Sequence, residues 1–85
     1  MKLQIATPEK IVFEGDCDDL VVRAFRGELN ILDRHADLIT FVEKGPILIK
    51  NAGQLQKKVW VNEGLLKVEG SKVAILCPKV SDTES

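Results

Sequence analysis

The chain has no tyrosine, one tryptophan (Trp60) and one histidine (His35). That leaves the common catalytic templates short of parts. His35 has no serine or cysteine nearby in a nucleophile-elbow context. There is no G-x-S-x-G, no H-E-x-x-H and no phosphate-binding glycine-rich loop between a strand and a helix. Cysteine is equally scarce. Cys17 and Cys77 lie far apart, without a C-x-x-C pair, and are too few for a disulfide framework or a four-ligand zinc site, so both are expected to be reduced, packed thiols. The acidic cluster Asp16, Asp18 and Asp19 lacks the regular oxygen offsets and distant bidentate glutamate of a calcium loop, and no metal is expected. Twelve basic and thirteen acidic residues leave a net charge of −1, which gives no field to hold nucleic acid. No apolar run approaches the roughly 20 residues of a membrane span, so no direct lipid insertion is expected. Neither a cofactor nor a small-molecule substrate is expected.

What the sequence does have is alternation. Apolar residues make up 45% and charged residues 29% of 85 residues, the balance of one ordinary globular domain with a small core. Leu3 and Ile5 share a face opposite Lys2 and Gln4, and Thr7-Pro8-Glu9 ends that strand. Lys10 to Glu14, Leu20 to Ala24, Leu29 to Leu32, Ile39 to Glu43, Ile47 to Lys50 and Gln54 to Val61 continue in the same period. Gly27, Lys44-Gly45-Pro46, Asn51-Ala52-Gly53 and Asn62-Glu63-Gly64 supply the turns. Gly70-Ser71 is a two-residue hairpin turn between Leu65 to Glu69 and Lys72 to Leu76, and Pro78 closes the last strand. The fold class is all-β, a small antiparallel β-sandwich or flattened barrel of about eight to ten short strands. Residues 1–80 form the domain and 81–85 a polar, disordered tail. The amino terminus already reads as strand, with neither an apolar signal core nor an Arg-rich transit pattern, so the chain is expected to stay in the compartment where it is made.

Strict alternation sorts the apolar residues into two sets. Ile11, Phe13, Leu20, Val22, Ile47, Ile49, Val59, Val61, Leu66, Val68, Val73 and Ile75 are expected to fill the core. Val12, Val21, Phe25, Leu48 and Trp60 then point outward, and bulky residues on several strands of one sheet would merge into a partner surface. A register slip at a bulge would return some of them to the interior.

The stretch Arg26 to Leu38, with Gly27-Glu28-Leu29-Asn30-Ile31 followed by His35-Ala36 and Leu38, resembles the signature of the epsilon subunit of rotary ATP synthases. Leu3 through Gly15 is similar to that family's opening strand pair, Lys44-Gly45 and Ile47 to its middle turn, and Gly64-Leu65-Leu66-Lys67-Val68 with Val73 to its closing hairpin. Asp33-Arg34 stands where the family commonly has Pro-Gly. The resemblance covers nearly the whole chain and implies the family's amino-terminal β-sandwich. It implies a non-catalytic part of the rotating central stalk that joins the gamma subunit to the membrane c-ring, so that proton or other ion transport drives ATP synthesis. On this reading Glu28 faces the polar loops of the ring, with Asn30, Ile31 and Arg34 beside it. Thr7, His35 and Thr40 fall on positions lying along gamma, and Val21, Leu48 and Trp60 are expected to add to that contact. The implied location is peripheral, on the cytoplasmic face of the inner (plasma) membrane. The family's carboxyl-terminal helical pair is not represented, so neither helix-based inhibition nor a nucleotide site is expected. The alternative from another class is a free-standing β-sandwich adaptor that binds a peptide or soluble protein through the Trp60 face.

Overall fold

The computed structural model describes residues 1–82, and every regular element among them is a β-strand. In chain order these are β1 (Lys2–Ala6), β2 (Ile11–Asp16), β3 (Asp19–Ala24), β4 (Gly27–Leu32) and β5 (Leu38–Val42). They continue with β6 (Gly45–Asn51), β7 (Gln54–Val61), β8 (Gly64–Glu69), β9 (Lys72–Leu76) and β10 (Val80–Ser81). The pairing order β10-β7-β6-β3-β5-β8-β9-β1-β2, with β4 on the far edge of β3, folds over at a single link between β3 and β5, Ala24 opposite Val42. The result is a β-sandwich of one layer β10-β7-β6-β3-β4 and a second layer β5-β8-β9-β1-β2. All pairs are antiparallel except β1 with β9, which run parallel.

Alternation places the core between the layers. Leu20, Val22, Ile31, Ile47, Ile49, Val59 and Val61 from the first sheet meet Leu3, Ile5, Val42, Leu66, Val68, Val73 and Ile75 from the second, all at or near zero exposure. Cys17 and Cys77 are buried free thiols beside them. Among the described residues no polar or charged side chain is buried.

The expected core is met except on β2. The β1–β2 ladder pairs Ile5 with Phe13 and Ala6 with Ile11, so Val12 is an extra, unopposed residue at a bulge. That insertion breaks strict alternation. Ile11, expected inside, turns out to be 54% exposed, whereas Val12, expected outside, packs partly buried against the core alongside Phe13. Val21 also departs from expectation: it faces outward from β3 but is only 9% exposed, flanked by Asn30 and Leu48 on the adjoining strands.

The turns follow their chemistry. Gly70-Ser71 joins paired Glu69 and Lys72 with Gly70 at φ +61°, and Ala52-Gly53 joins Asn51 to Gln54 with both residues left-handed, the geometry that matches strand twist in tight hairpins. The β3–β4 turn is Phe25-Arg26, with Gly27 the residue just after it. Pro78 does not end the strands: Val80 and Ser81 pair with Val61 and Trp60, so β10 extends one residue into the segment expected to be tail. Residues 83–85 of that segment lie outside the described residues.

Candidate docking surfaces

The two ends of the sandwich differ in what they present. The Glu28 end gathers the β3–β4 turn, the β5–β6 turn tied to β3 by the Glu43 amide donating to the Arg23 carbonyl at 2.7 Å, and the loops around Thr7 and Cys77. The opposite end gathers Asp33 to Asp37, the Ala52-Gly53 and Gly70-Ser71 turns, and the amino terminus. Cross-loop bonds knit it together: the Ala52 amide donates to Asp18 and the Gly70 amide to Asp37, each at 3.0 Å.

The four residues expected to face the ring are not brought together. Glu28 stands near the start of β4 and Arg34 just past its end, and the strand from Glu28 to Leu32 alone spans roughly 14 Å at about 3.4 Å per residue. Asn30 lies on the outer face of the first sheet, donating to Asp19 Oδ1 and to the Leu20 carbonyl. Ile31 is fully buried opposite Leu20, so it has no surface to offer a partner. A strand that alternates cannot present Asn30 and Ile31 to the same side.

At the far end, Arg34 adopts a left-handed backbone, φ +68°, and the His35 amide donates to the Leu32 carbonyl to close the turn. His35 Nδ1 lies 2.7 Å from the Ala36 carbonyl. Asp33 Oδ1 is 2.9 Å from the Met1 amino group, which also donates to the Cys17 carbonyl. The hydrogen bond it donates to Asp33 raises the amino group above its ordinary 8.0, burial opposing it in part.

The outer face of the second sheet is graded in polarity. At the Glu28 end one cross-strand row reads Phe41, Leu65, Leu76, Ala6, Ile11 from β5 to β2. Its large members are 73%, 40%, 55% and 54% exposed, and Ile39, next outward on β5, is 66% exposed. One pleat further along, Lys67, Ala74, Gln4 and Glu14 follow Ile39. Beyond them Glu69, Lys72, Lys2 and Asp16 make a charged row. A contiguous apolar band across five strands marks a docking surface more strongly than scattered exposed residues do. Reasoning strand by strand missed it, because each strand contributes only one or two of its members. Alternation already sets Leu65 opposite in face to buried Leu66, and the signal lay in stacking such residues across neighbours.

Three of the expected gamma-side positions border this sheet. Thr7 follows Ala6, its hydroxyl accepting from the Glu9 and Lys10 amides at 3.3 Å. Thr40 lies between Ile39 and Phe41 with its side chain toward the core side, half-buried, and His35 leads into β5. Val21, Leu48 and Trp60 belong to the outer face of the other sheet. There Val21 is closed off, and half-buried Trp60 sits between Pro46 and Ser81 with Lys58 Nζ 4.8 Å from the ring centroid. The expected single outward patch is therefore split: Phe25, 80% exposed, stands at the β3–β4 turn, while Val12 and Val21 are withdrawn.

Reactive chemistry is thin. Burial pushes the Cys77 thiol up to about 11 and raises Cys17 as well, which keeps both in the weakly nucleophilic protonated form. Among the described residues no group of three or more His, Cys, Asp or Glu is placed to hold a metal ion.

The family model described as the ATP synthase delta/epsilon chain β-sandwich domain matches residues 1–82. Relatives called ATP synthase epsilon chain include that of Brevibacillus brevis, 34% identical over 76 residues, covering 89% of this chain and 58% of the relative. That of Clostridium novyi is 39% identical over 77 residues, again with 89% and 58% covered. The chain thus spans about three-fifths of the length of these curated relatives. Among solved structures, a chain of the Tetrahymena thermophila mitochondrial ATP synthase central stalk and c-ring superposes with a TM-score of 0.81 at 16% identity, covering 96% of this chain and 66% of that one. A chain of the Euglena gracilis mitochondrial ATP synthase superposes at 0.83 with 15% identity, covering 92% and 50%. At such identities the structures speak to the fold, which is the same sandwich. With the family model spanning nearly every residue and epsilon chains matching above 30% identity, this chain belongs to the ATP synthase delta/epsilon family, as its β-sandwich domain.

Proposed function

We propose that this domain is a non-catalytic central-stalk part of an ATP synthase, clamped to the gamma subunit by the outer face of its second sheet and turned toward the polar loops of the c-ring at its Glu28 end. The observation that carries this reading is the apolar row Phe41, Leu65, Leu76, Ala6, Ile11, with Ile39 beside it. Of the expected gamma-side positions Thr7 stands at the end of that row, next to Ala6, whereas Thr40 faces the core side of the sheet and His35 lies at its other end. Removing about 400 Å² of such surface from water at roughly 25 cal/mol per Å² yields on the order of 10 kcal/mol before association costs. A small domain held that firmly transmits torque as a rigid body. Val21, Leu48 and Trp60 lie on the other sheet and are left out of the gamma contact. On this reading the domain sits at the membrane periphery, on the cytoplasmic side in a bacterial cell.

The test is co-purification with the gamma subunit and c-ring of its own ATP synthase. Phe41→Asp combined with Leu65→Asp should weaken gamma retention at least tenfold while leaving the domain folded, because both side chains already meet water. Undiminished gamma binding by that folded double variant would sink the assignment of this face.

A further inference from the structure

On the opposite sheet, at the Glu28 end, a cleft of about 690 Å³ opens between β3, the β5–β6 turn, β7 and the segment leading into β10. Arg23, Lys44 and Lys79 reach it from three separate elements, and Trp60, Pro46 and Val80 supply its apolar wall. Among the described residues the ion pairs are Met1 with Asp33 and Lys67 with Glu69, so none of these three cations has a carboxylate within 4 Å. Acidic residues do stand near in the chain: Glu28 opposite Arg23 across β3–β4, Glu43 beside Lys44, Glu63 beside Asn62 and Asp82 beside Ser81. None of them lines the cleft. The backbone accommodates the arrangement. Gly45 takes φ +152°, and a Cβ there would stand 3.1 Å from Arg23 Nε, so the absence of a side chain lets the arginine lie over the turn.

We propose that this cleft docks an acidic, extended protein segment, with carboxylates on Arg23, Lys44 and Lys79 and an interspersed apolar side chain on Trp60. Three features favour a peptide over a small anion. The cations come from different elements along an open cleft. No glycine-rich loop offers a row of backbone amides to a phosphate. The wall between the charges is apolar, which suits alternating side chains and leaves a bare anion without partners. The guanidinium of Arg23 suits bidentate pairing with a carboxylate, and lysine ammoniums tolerate variable geometry. This docking is independent of the gamma contact, which uses the other sheet.

Trp60 is the chain's only tryptophan and there is no tyrosine, so intrinsic fluorescence reports directly on the cleft. The experiment titrates the folded domain with a short blocked peptide alternating aspartate and leucine, a matched asparagine–leucine peptide, and pyrophosphate. The acidic peptide should shift Trp60 emission saturably, and Arg23→Gln or Lys79→Gln should each weaken it roughly tenfold, the scale of one charge-assisted hydrogen bond. Salt near 1 M should abolish most of the binding, because screening there reaches only about 3 Å. Equal saturation by the asparagine peptide, tighter saturation by pyrophosphate, or indifference to both substitutions would overturn the proposal. Unchanged melting of both variants keeps such a result from being a folding defect.

Discussion

A Cβ placed on Gly64 would stand 2.9 Å from the Sγ of Cys77 and 3.0 Å from the carbonyl oxygen of Leu76. Gly64 opens β8 opposite Val42, where the second sheet is pinned beside the fold-over to the first. The Leu76 oxygen is backbone in a paired strand and cannot yield cheaply. Gly64→Ala should therefore destabilise by about 1–3 kcal/mol, the usual range for overpacking, or a melting-temperature fall of several degrees in a domain this size. Adding Cys77→Ala should not restore wild-type stability. It removes the sulfur clash and leaves the carbonyl one, so thermal melts of the two single variants and the double separate the contributions.

Arg34 and Ala52 both carry left-handed backbones without being glycine. That conformation costs an ordinary L-residue about 1–2 kcal/mol, whereas the extra freedom glycine adds to the unfolded chain takes back roughly 0.4–1. Arg34→Gly and Ala52→Gly should each stabilise by about 0.5–1 kcal/mol, measured as a rise in denaturant midpoint with unchanged slope. A fall in midpoint for Arg34→Gly would mean the arginine side chain makes a contribution its exposure does not suggest.

The fold was legible because its alternation is clean in most strands: buried Leu66 and Val68 with exposed Leu65 and Lys67 follow directly from a period of two. It failed where one inserted residue changed the count. Val12 at the β1–β2 bulge turned Ile11 outward, and no residue in Lys10 to Glu14 announces that by itself. The link between β3 and β5 at Ala24 and Val42, and the parallel pairing of β1 with β9, join residues far apart in sequence, which single-strand patterns do not encode. For the same reason the apolar band stayed hidden: Phe41, Leu65, Leu76 and Ile11 become neighbours only when strand order is known. Glu28 at an exposed turn end was readable. Ile31, named beside it from proximity in sequence, was not a surface residue at all.

Alkaline pH should weaken the fold. The Met1 amino group, held above its ordinary 8.0 by Asp33, contributes stability that is complete below pH 8 and is lost as pH rises through its raised value. Cys77 acts in the same direction. The folded chain keeps its proton up to about 11 while an unfolded thiol releases it near 9.0, so stability declines progressively between those values. Urea midpoints measured from pH 7 to 10.5 should fall, most steeply above 9. Asp33→Asn should flatten the part near pH 8, by less than about 1 kcal/mol because Asp33 is largely exposed. In the native state at pH 8 both cysteines should resist an aromatic disulfide reagent and react only when denaturant opens the core.

Glu28 and Ile31 sit three residues apart on β4 with opposite roles, and substitution should separate them. Glu28→Arg exchanges an exposed charge that forms no ion pair within 4 Å among the described residues, so melting should move by no more than about 0.5 kcal/mol. If the Glu28 end faces the ring, the same variant should weaken c-ring retention and ion-coupled ATP synthesis in the assembled enzyme. Ile31→Ala removes a fully buried side chain packed opposite Leu20 and should cost about 2–5 kcal/mol in the isolated domain, with no partner present. Any loss of assembly it causes should therefore track its loss of stability and be recovered by lowering the temperature. The Glu28→Arg defect should persist at every temperature where the domain is folded. A Glu28→Arg protein that melts normally and couples normally would remove this end of the sandwich from the ring interface.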